Sequence, residues 1–175
     1  SYPRTKAKGV AMPRRKREMI HGETRLLSEW LMQTYPNDRW SANVKLGADI
    51  QPKTGLVLDE SEKRMFAAYK RYADAVVITQ SEILVIEAKM FNPVEAVGPL
   101  LQYIDLVKHT PELREFAGRA VVGILLSAID DAVAAAICAR LHLRFIAYSP
   151  PWLQEFFAIY PFRMRWTPRT GSIDL

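Results

Sequence analysis

The sequence predicts an α/β fold in which a mixed β-sheet is flanked by helices on both faces. Two apolar, β-branched runs at 73–79 and 83–89 are joined by a short polar turn, a pattern typical of an antiparallel hairpin. Later in the chain, two apolar runs at 120–127 and 144–148 enclose an Ala-rich helical pattern at 130–141, which predicts a parallel crossover. A hairpin and a crossover in one sheet make that sheet mixed.

The elements before the hairpin are a helix, a strand and an insertion. Residues 21–36 carry apolar side chains at helical spacing, and Pro36 closes the helix. Residues 40–46 alternate as a strand does, so one face is expected to hold Trp40, Ala42, Val44 and Leu46. The segment 47–72 is expected to be an insertion, with a loop or a short hairpin at 47–58 and then a helix that opens at Asp59 and reaches about Tyr72.

Two further helices are expected after the hairpin. Pro93 initiates a helix through about Lys108, whose inward positions are Val97, Leu100, Leu101, Ile104 and Val107. Residues 152–159 have the pattern of a C-terminal helix. A chain of 175 residues with 49% hydrophobic residues suits one buried core, so we expect a single domain at residues 20–160.

The positive charge is concentrated at the N-terminus. The formal net charge is +5, yet residues 1–17 carry seven basic residues and no acid, so the rest of the chain is near neutral. We expect a basic, flexible arm at 1–19 and a tail at 161–175. Their cations would attract a phosphate backbone, and the candidate contacts are Arg14, Arg15, Lys16, Arg17, Arg163 and Arg165. The alternative is an arm that only keeps the protein in solution.

The sequence also limits the compartment and the partners. No apolar run of about 18 residues is present, and the basic N-terminus is not followed by the apolar region of a signal peptide. The one cysteine, Cys138, excludes an internal disulfide and a cysteine-based zinc cluster. We therefore expect a protein of the cytoplasm without a membrane partner.

Charged side chains lie at the ends of the two hairpin strands. Asp74 begins the first strand, while Glu87 and Lys89 end the second, where alternation puts them on one face and Ala88 on the other. The turn at 80–82 folds Asp74 back beside them. Buried carboxylates are costly unless they are paired or bind a metal, so the group predicts a divalent-cation site.

The order of elements and the spacing of Asp74, Glu87 and Lys89 resemble the PD-(D/E)xK nuclease superfamily over residues 20–148. This superfamily includes restriction endonucleases, Holliday-junction resolvases and RecB-like or Cas4-like exonucleases. The proline of its motif is replaced here by Ala73. The resemblance implies a restriction-endonuclease-like arrangement of the mixed sheet and its helices.

The resemblance also implies residues on two helices. Many members carry an acidic ligand on the first helix, for which Glu23 is the best match and Glu29 the alternative. RecB-like members carry a Gln followed by a Tyr four residues later. Gln102 is present, but the fourth position is Leu106, and Tyr103 follows Gln102 directly.

Together these features predict a metal-dependent DNA nuclease. Mg²⁺ or Mn²⁺ prefers oxygen, and the expected ligands are Glu23, Asp74, Glu87 and the backbone carbonyl of Ala88. The expected catalytic residues are Asp74, Glu87, Lys89 and Gln102, with Lys89 orienting or deprotonating the attacking water. DNA is the expected partner, and a homodimer would suit the cutting of two strands.

Two other interpretations use the same residues. The first is a catalytically silent nucleic-acid-binding or assembly module on the same fold; intact Asp74, Glu87 and Lys89 argue against it, since a silent member should have lost one. The second is an α/β protein without a nucleic-acid role, in which Asp74 caps a turn and Glu87 and Lys89 form a solvated pair. It would also require an irrelevant basic arm.

Overall fold

The structure, a computed structural model, describes residues 14–47 and 71–159 of the 175-residue chain. The strands are β1 (Arg39–Leu46), β2 (Arg71–Ile78), β3 (Glu82–Lys89), β4 (Ala120–Ser127) and β5 (Arg144–Ala147). The α-helices are α1 (Arg14–Thr34), α2 (Val97–Val107), α3 (Ala132–Arg140) and α4 (Trp152–Ile159). Short 3₁₀ helices occupy Pro93–Ala96 and Pro111–Phe116.

The five strands form one mixed sheet in the order β1-β2-β3-β4-β5. β1, β2 and β3 are antiparallel neighbours, whereas β3, β4 and β5 run parallel. Both the expected hairpin and the expected crossover are confirmed. Since β3 and β4 are parallel, their carboxyl ends meet at one edge of the sheet, where Lys89 pairs with Ser127.

Helices cover both faces of the sheet, as expected. The first core, between the sheet and helices α1 and α4, includes Leu26, Leu31, Ala75, Val77, Leu84, Ile86, Ala88 and Leu153. The second core, on the side of α2 and α3, includes Leu46, Ala73, Val76, Ile83, Val85, Leu100, Leu125 and Cys138. Full burial of one such aliphatic side chain stabilises the fold by roughly 1.5–3 kcal/mol. Two opposed cores therefore fix the position of the β2–β3 hairpin between them.

Two expected boundaries are wrong. Helix α1 begins at Arg14, so residues 14–19, expected in a flexible arm, are helical. Arg, Lys, Glu and Met all have high helix propensity, which allows the helix to extend beyond its apolar stripe. Strand β2 begins at Arg71, so Arg71 and Tyr72 do not end an inserted helix.

Two expected faces are also incomplete. Leu101 was expected to point inward, but it is 37% exposed, because α2 turns only the stripe through Val97, Leu100 and Val107 into the core. In β1, Leu46 is buried and Val44 is half-buried, while Trp40 and Ala42 are exposed. The four residues therefore do not form one buried face.

Several expectations fall outside the described residues. They concern the inserted helix over 59–70, the remainder of the arm at 1–13, and Arg163 and Arg165 in the tail. Within the described part of the chain, no helix is both long and apolar enough to span a membrane.

Candidate metal centre

The β2–β3 ladder ends where the charged residues begin. Antiparallel pairing runs from Ile78 opposite Ile83 to Ala75 opposite Ile86, and the next positions in that register are Asp74 and Glu87. Beyond this point the Ala88 N–H donates to a side chain of β2 instead of to a backbone carbonyl. The acceptor is Asp74 Oδ2, at 2.8 Å. The expectation that the hairpin folds Asp74 back beside the Glu-x-Lys motif is confirmed.

Strand alternation places Glu87 and Lys89 on the second-core side of the sheet. Ile83 and Val85 belong to the second core, whereas Ile86 and Ala88 belong to the first, so Ala88 faces away from its two neighbours. Lys89 Nζ lies 3.3 Å from Glu87 Oε1. The side chains of Lys89 and Glu87 are 25% and 10% exposed, which excludes a solvated pair at a strand end.

Glu87 has one unsatisfied oxygen. Its Oε2 is buried and has no hydrogen-bond partner. Burial and the nearby charge of Asp74 raise the pKa of Glu87 to about 7, against the opposing influences of Lys89 and of the Asp74 backbone N–H. A buried carboxylate oxygen without a partner is expensive unless a cation or a proton reaches it, so the site fits a metal ion.

The other charges respond to the same environment. Burial raises the pKa of Asp74, although the hydrogen bond from Ala88 N and the charge of Lys89 oppose that rise. Burial, the largest influence on Lys89, would lower its pKa, but the charges of Glu87, Glu23 and Asp74 together raise it. Lys89 therefore carries its positive charge at neutral pH in the metal-free protein.

Glu23 approaches this group from helix α1. Its Oε1 accepts a hydrogen bond of 3.3 Å from Met90 N, one residue beyond β3. Burial raises the pKa of Glu23, while Lys89 and the Met90 N–H oppose the rise. The preceding residue, Gly22, permits this approach, because a Cβ there would lie 3.1 Å from the Phe156 ring and 3.3 Å from Met90 Cε.

Glu29, the alternative acidic residue on α1, is engaged elsewhere. Its Oε2 accepts a 2.6 Å hydrogen bond from Trp152 Nε1, and its Oε1 accepts a 2.9 Å hydrogen bond from Arg25 Nε. The Arg25 guanidinium also lies 4.4 Å from the centroid of a Trp152 ring. Glu29 therefore joins α1 to α4, and of the two candidates Glu23 is the one that approaches the end of β3.

Helix α2 brings Tyr103 towards the carboxylates, and sequence reasoning did not select it. Gln102 is exposed, and its place in the site stays a prediction. Tyr103 is half-buried against the second core, where burial raises its pKa and the charges of Glu87 and Asp74 raise it further. The signal in the sequence is its spacing, because Tyr103 lies on one helical face with Leu100 and Val107.

The candidate ligands are few. Among residues 14–47 and 71–159, no three His, Cys, Asp or Glu side chains are arranged to hold a metal ion by themselves. The hairpin end brings together two carboxylates, from Asp74 and Glu87, with the backbone of Ala88. This set suits Mg²⁺, which binds proteins through one or two carboxylates and keeps several waters, better than it suits zinc.

The basic residues at the start of α1 share a helix with Glu23. Arg14, Arg15, Lys16 and Arg17 begin α1, and Glu23 lies six residues after Arg17. With a rise of 1.5 Å per residue, this separates the two backbone positions by about 9 Å along the helix. The basic turn is therefore attached to the element that carries Glu23.

No protein-family model matches this chain, and no curated protein matches it. The expected resemblance to the PD-(D/E)xK superfamily therefore depends on the group Asp74, Glu87 and Lys89, which this structure brings together in a mixed sheet with helices on both faces.

Proposed function

We propose that this protein is a metal-dependent DNA nuclease of the PD-(D/E)xK type, which hydrolyses phosphodiester bonds through Asp74, Glu87 and Lys89. The observation that carries the proposal is the buried, unpartnered Oε2 of Glu87, beside the half-buried carboxylate of Asp74 and a charged lysine. A buried carboxylate oxygen without a partner is costly unless a cation or a proton reaches it. A cation-binding carboxylate keeps one oxygen for the ion.

Asp74, Glu87 and the carbonyl of Ala88 would hold Mg²⁺ or Mn²⁺. The bound ion would supply an activated water and charge stabilisation for the phosphoryl group. Asp74 contributes one oxygen while its Oδ2 stays on Ala88 N, which fixes the orientation of the carboxylate. Glu23 holds the end of β3 through Met90 N and adds a negative charge beside Lys89.

Lys89 acts through its positive charge. Its raised pKa keeps it protonated before metal binds, so it is suited to orient the attacking water and to offset charge on the phosphoryl oxygens. An ammonium group has three donors, and the contact with Glu87 Oε1 uses one of them. Gln102 remains a proposed contact from α2, and Tyr103 adds a hydroxyl on the carboxylate side.

The basic segment supports DNA as the substrate. Four consecutive cations, Arg14 to Arg17, begin the helix that carries Glu23, and cations that neutralise phosphates gain affinity by releasing counterions. The proposal includes action in the cytoplasm, where the one cysteine would stay reduced. It also includes a homodimer for substrates in which two strands are cut.

Cleavage assays with a matched lysine pair test the proposal. Plasmid and labelled single-stranded, duplex and branched DNA are incubated with Mg²⁺, Mn²⁺ or EDTA. Lys89→Met should lower the metal-dependent rate by about 10²-fold or more, because a charge aimed at the transition state is lost. Lys108→Met, which removes a lysine that is 65% exposed and paired with Asp105, should cleave as wild type does.

The outcomes separate nuclease from binding module. Equal cleavage by wild type and Lys89→Met would indicate contamination or another site and would remove the proposal. DNA binding by wild type, without cleavage under any metal, would favour the catalytically silent module.

A further inference from the structure

Strand β1 contains one residue in a left-handed backbone conformation. Asn43 has a φ of 53°, although it lies in the interior of the strand Arg39–Leu46. Residues other than glycine avoid this region, and asparagine is among the few that tolerate it. Strained backbone of this kind concentrates where a strand must aim a side chain.

Asn43 lies opposite Asp74. The β1–β2 register pairs Ala42 with Ala75 and Val44 with Ala73, and the intervening positions are Asn43 and Asp74. Asn43 and Asp74 do not pair with each other, although the strands pair in the same register on both sides of them. The ladder is therefore interrupted at the residue that supplies the carboxylate.

Both strands change face at this interruption. In β2, Val77 and Ala75 belong to the first core, so strict alternation would place Ala73 there as well. Ala73 instead belongs to the second core, together with Val76. In β1, Ala42 pairs with a residue of the first core, whereas Val44 packs against the second. One residue in each strand, Asp74 and Asn43, absorbs the change.

The change of face at Asn43 in β1 and at Asp74 in β2, which we call the double kink, explains how the Asp74 side chain reaches β3. In a regular strand a side chain stands roughly perpendicular to the sheet and does not approach a backbone N–H of the next strand. Asp74 does so, because its Oδ2 lies 2.8 Å from Ala88 N. The kink turns the carboxylate into the gap that opens between β2 and β3 after Ala75 and Ile86.

We propose that Asn43 is a positioning residue for the metal centre: its left-handed conformation lets β1 follow the kink in β2 and so holds Asp74 on Ala88 N. The part of this inference that concerns catalysis rests on the proposed nuclease function. The part that concerns geometry does not. At position 43, a residue that disfavours positive φ would straighten β1. Because Ala42 and Val44 pair with β2, the straightened β1 would then favour regular alternation of side chains in β2 and would move Asp74 away from Ala88 N.

Substitutions at Asn43 and Ser41 test the inference. Asn43→Gly keeps access to positive φ, whereas Asn43→Ala and Asn43→Val do not. Ser41 is exposed, pairs with Val76 and has no positive φ, so Ser41→Gly and Ser41→Val are the matched controls. For each variant, hydrogen exchange at the Ala88 amide, Mn²⁺ affinity and the cleavage rate are measured, with unfolding by urea as the measure of stability.

Asn43→Ala and Asn43→Val should speed exchange at Ala88 and weaken Mn²⁺ binding by about 10-fold or more, the usual cost of losing an orienting contact. Asn43→Gly should stay close to wild type in both, although glycine itself lowers stability. If Asn43→Val does not fold, the comparison of Ala with Gly decides.

The inference is overturned if Ala and Gly behave alike at position 43, or if the Ser41 variants change Ala88 exchange as much. Faster Ala88 exchange in Asn43→Ala, together with no metal binding or cleavage by wild type, would support the positioning role and remove the proposed function.

Discussion

Half-buried Lys89 and buried Glu87 form an ion pair that uses only one of the two carboxylate oxygens. Lys89 Nζ lies 3.3 Å from Glu87 Oε1, while Glu87 Oε2 is buried without a partner. The unpartnered oxygen raises the free energy of the folded protein, and an ion pair with a purely structural role does not require it. Such a cost is expected where a site is built for an additional cation.

Glu87→Gln should separate stability from metal binding. The substitution removes a buried charge, so we expect the metal-free protein to unfold at a higher temperature at pH 8 than wild type. The rise in unfolding temperature that Mg²⁺ or Mn²⁺ gives to wild type should disappear. Thermal unfolding with and without metal measures both effects. Glu112→Gln, at an exposed position, is the control and should keep the metal-dependent rise. A metal-dependent rise that survives in Glu87→Gln would contradict the ligand assignment.

Stability should fall as pH rises when metal is absent. The pKa of Glu87 is about 7 in the folded protein, above the ordinary value of 4.5. A carboxyl with a raised pKa stabilises the fold fully below pH 4.5, and this contribution is lost as pH rises through about 7. The difference corresponds to roughly 3 kcal/mol. Urea unfolding in EDTA at pH 5 and pH 8 measures it.

The same titration should govern metal affinity. Binding requires the ionised carboxylate, so affinity should weaken as pH falls below about 7, and binding in that range should release a proton. In Glu87→Gln the part of the pH dependence of metal-free stability that comes from Glu87 should vanish. A wild-type stability that is the same at pH 5 and pH 8 would show that Glu87 titrates normally.

Glu23 and Glu29, the two candidate acidic residues on α1, should differ in effect. Glu23→Gln should weaken metal binding by about 10-fold, because Glu23 orients Met90 and adds charge next to the site. Glu29→Gln should leave metal affinity unchanged and instead lower stability, since Glu29 holds Trp152 of α4. Isothermal titration with Mn²⁺ distinguishes them. If both variants lose affinity equally, the effect comes from a general disturbance of α1, and Glu23 has no specific role in metal binding.

Two glycines should respond to alanine in opposite directions. At Gly22 a Cβ would meet Phe156 at 3.1 Å and Met90 at 3.3 Å, so Gly22→Ala should destabilise the protein by about 1–3 kcal/mol. At Gly118, in the turn before β4, φ is not positive and nothing beyond the neighbouring residues lies within 4 Å of an added Cβ, so Ala should stabilise by roughly 0.4–1 kcal/mol. Urea unfolding measures both. Stabilisation by Gly22→Ala would show that α1 is not tightly packed there.

Much of the sheet and the centre of the site could be predicted from the sequence. The two-residue period of β3 is regular to its end, so it correctly put Glu87 and Lys89 on one side and Ala88 on the other. A short polar turn between apolar runs was enough to pair β2 with β3 and to bring Asp74 close. These are local signals that tertiary packing did not override.

The features that were missed depend on departures from regular periods. The kink at Asn43 and Asp74 breaks alternation, and nothing in the period-2 pattern of β1 indicates it. The start of α1 at Arg14 lies in a charged run that has no apolar stripe, so its helicity depends on propensity alone. The family motif points to Gln102, whereas the helical face shared with Leu100 and Val107 places Tyr103 against the second core and near Glu87 and Asp74.

The most direct test of the account is a titration of ¹⁵N-labelled protein with Mn²⁺, observed by the paramagnetic broadening of backbone amides. The account predicts that the amides of Asp74, Glu87, Ala88 and Lys89 broaden first in wild type and do not broaden in Glu87→Gln at the same Mn²⁺ concentration. Uniform broadening, or broadening that begins elsewhere and is unchanged in Glu87→Gln, would contradict a metal centre at the end of the hairpin.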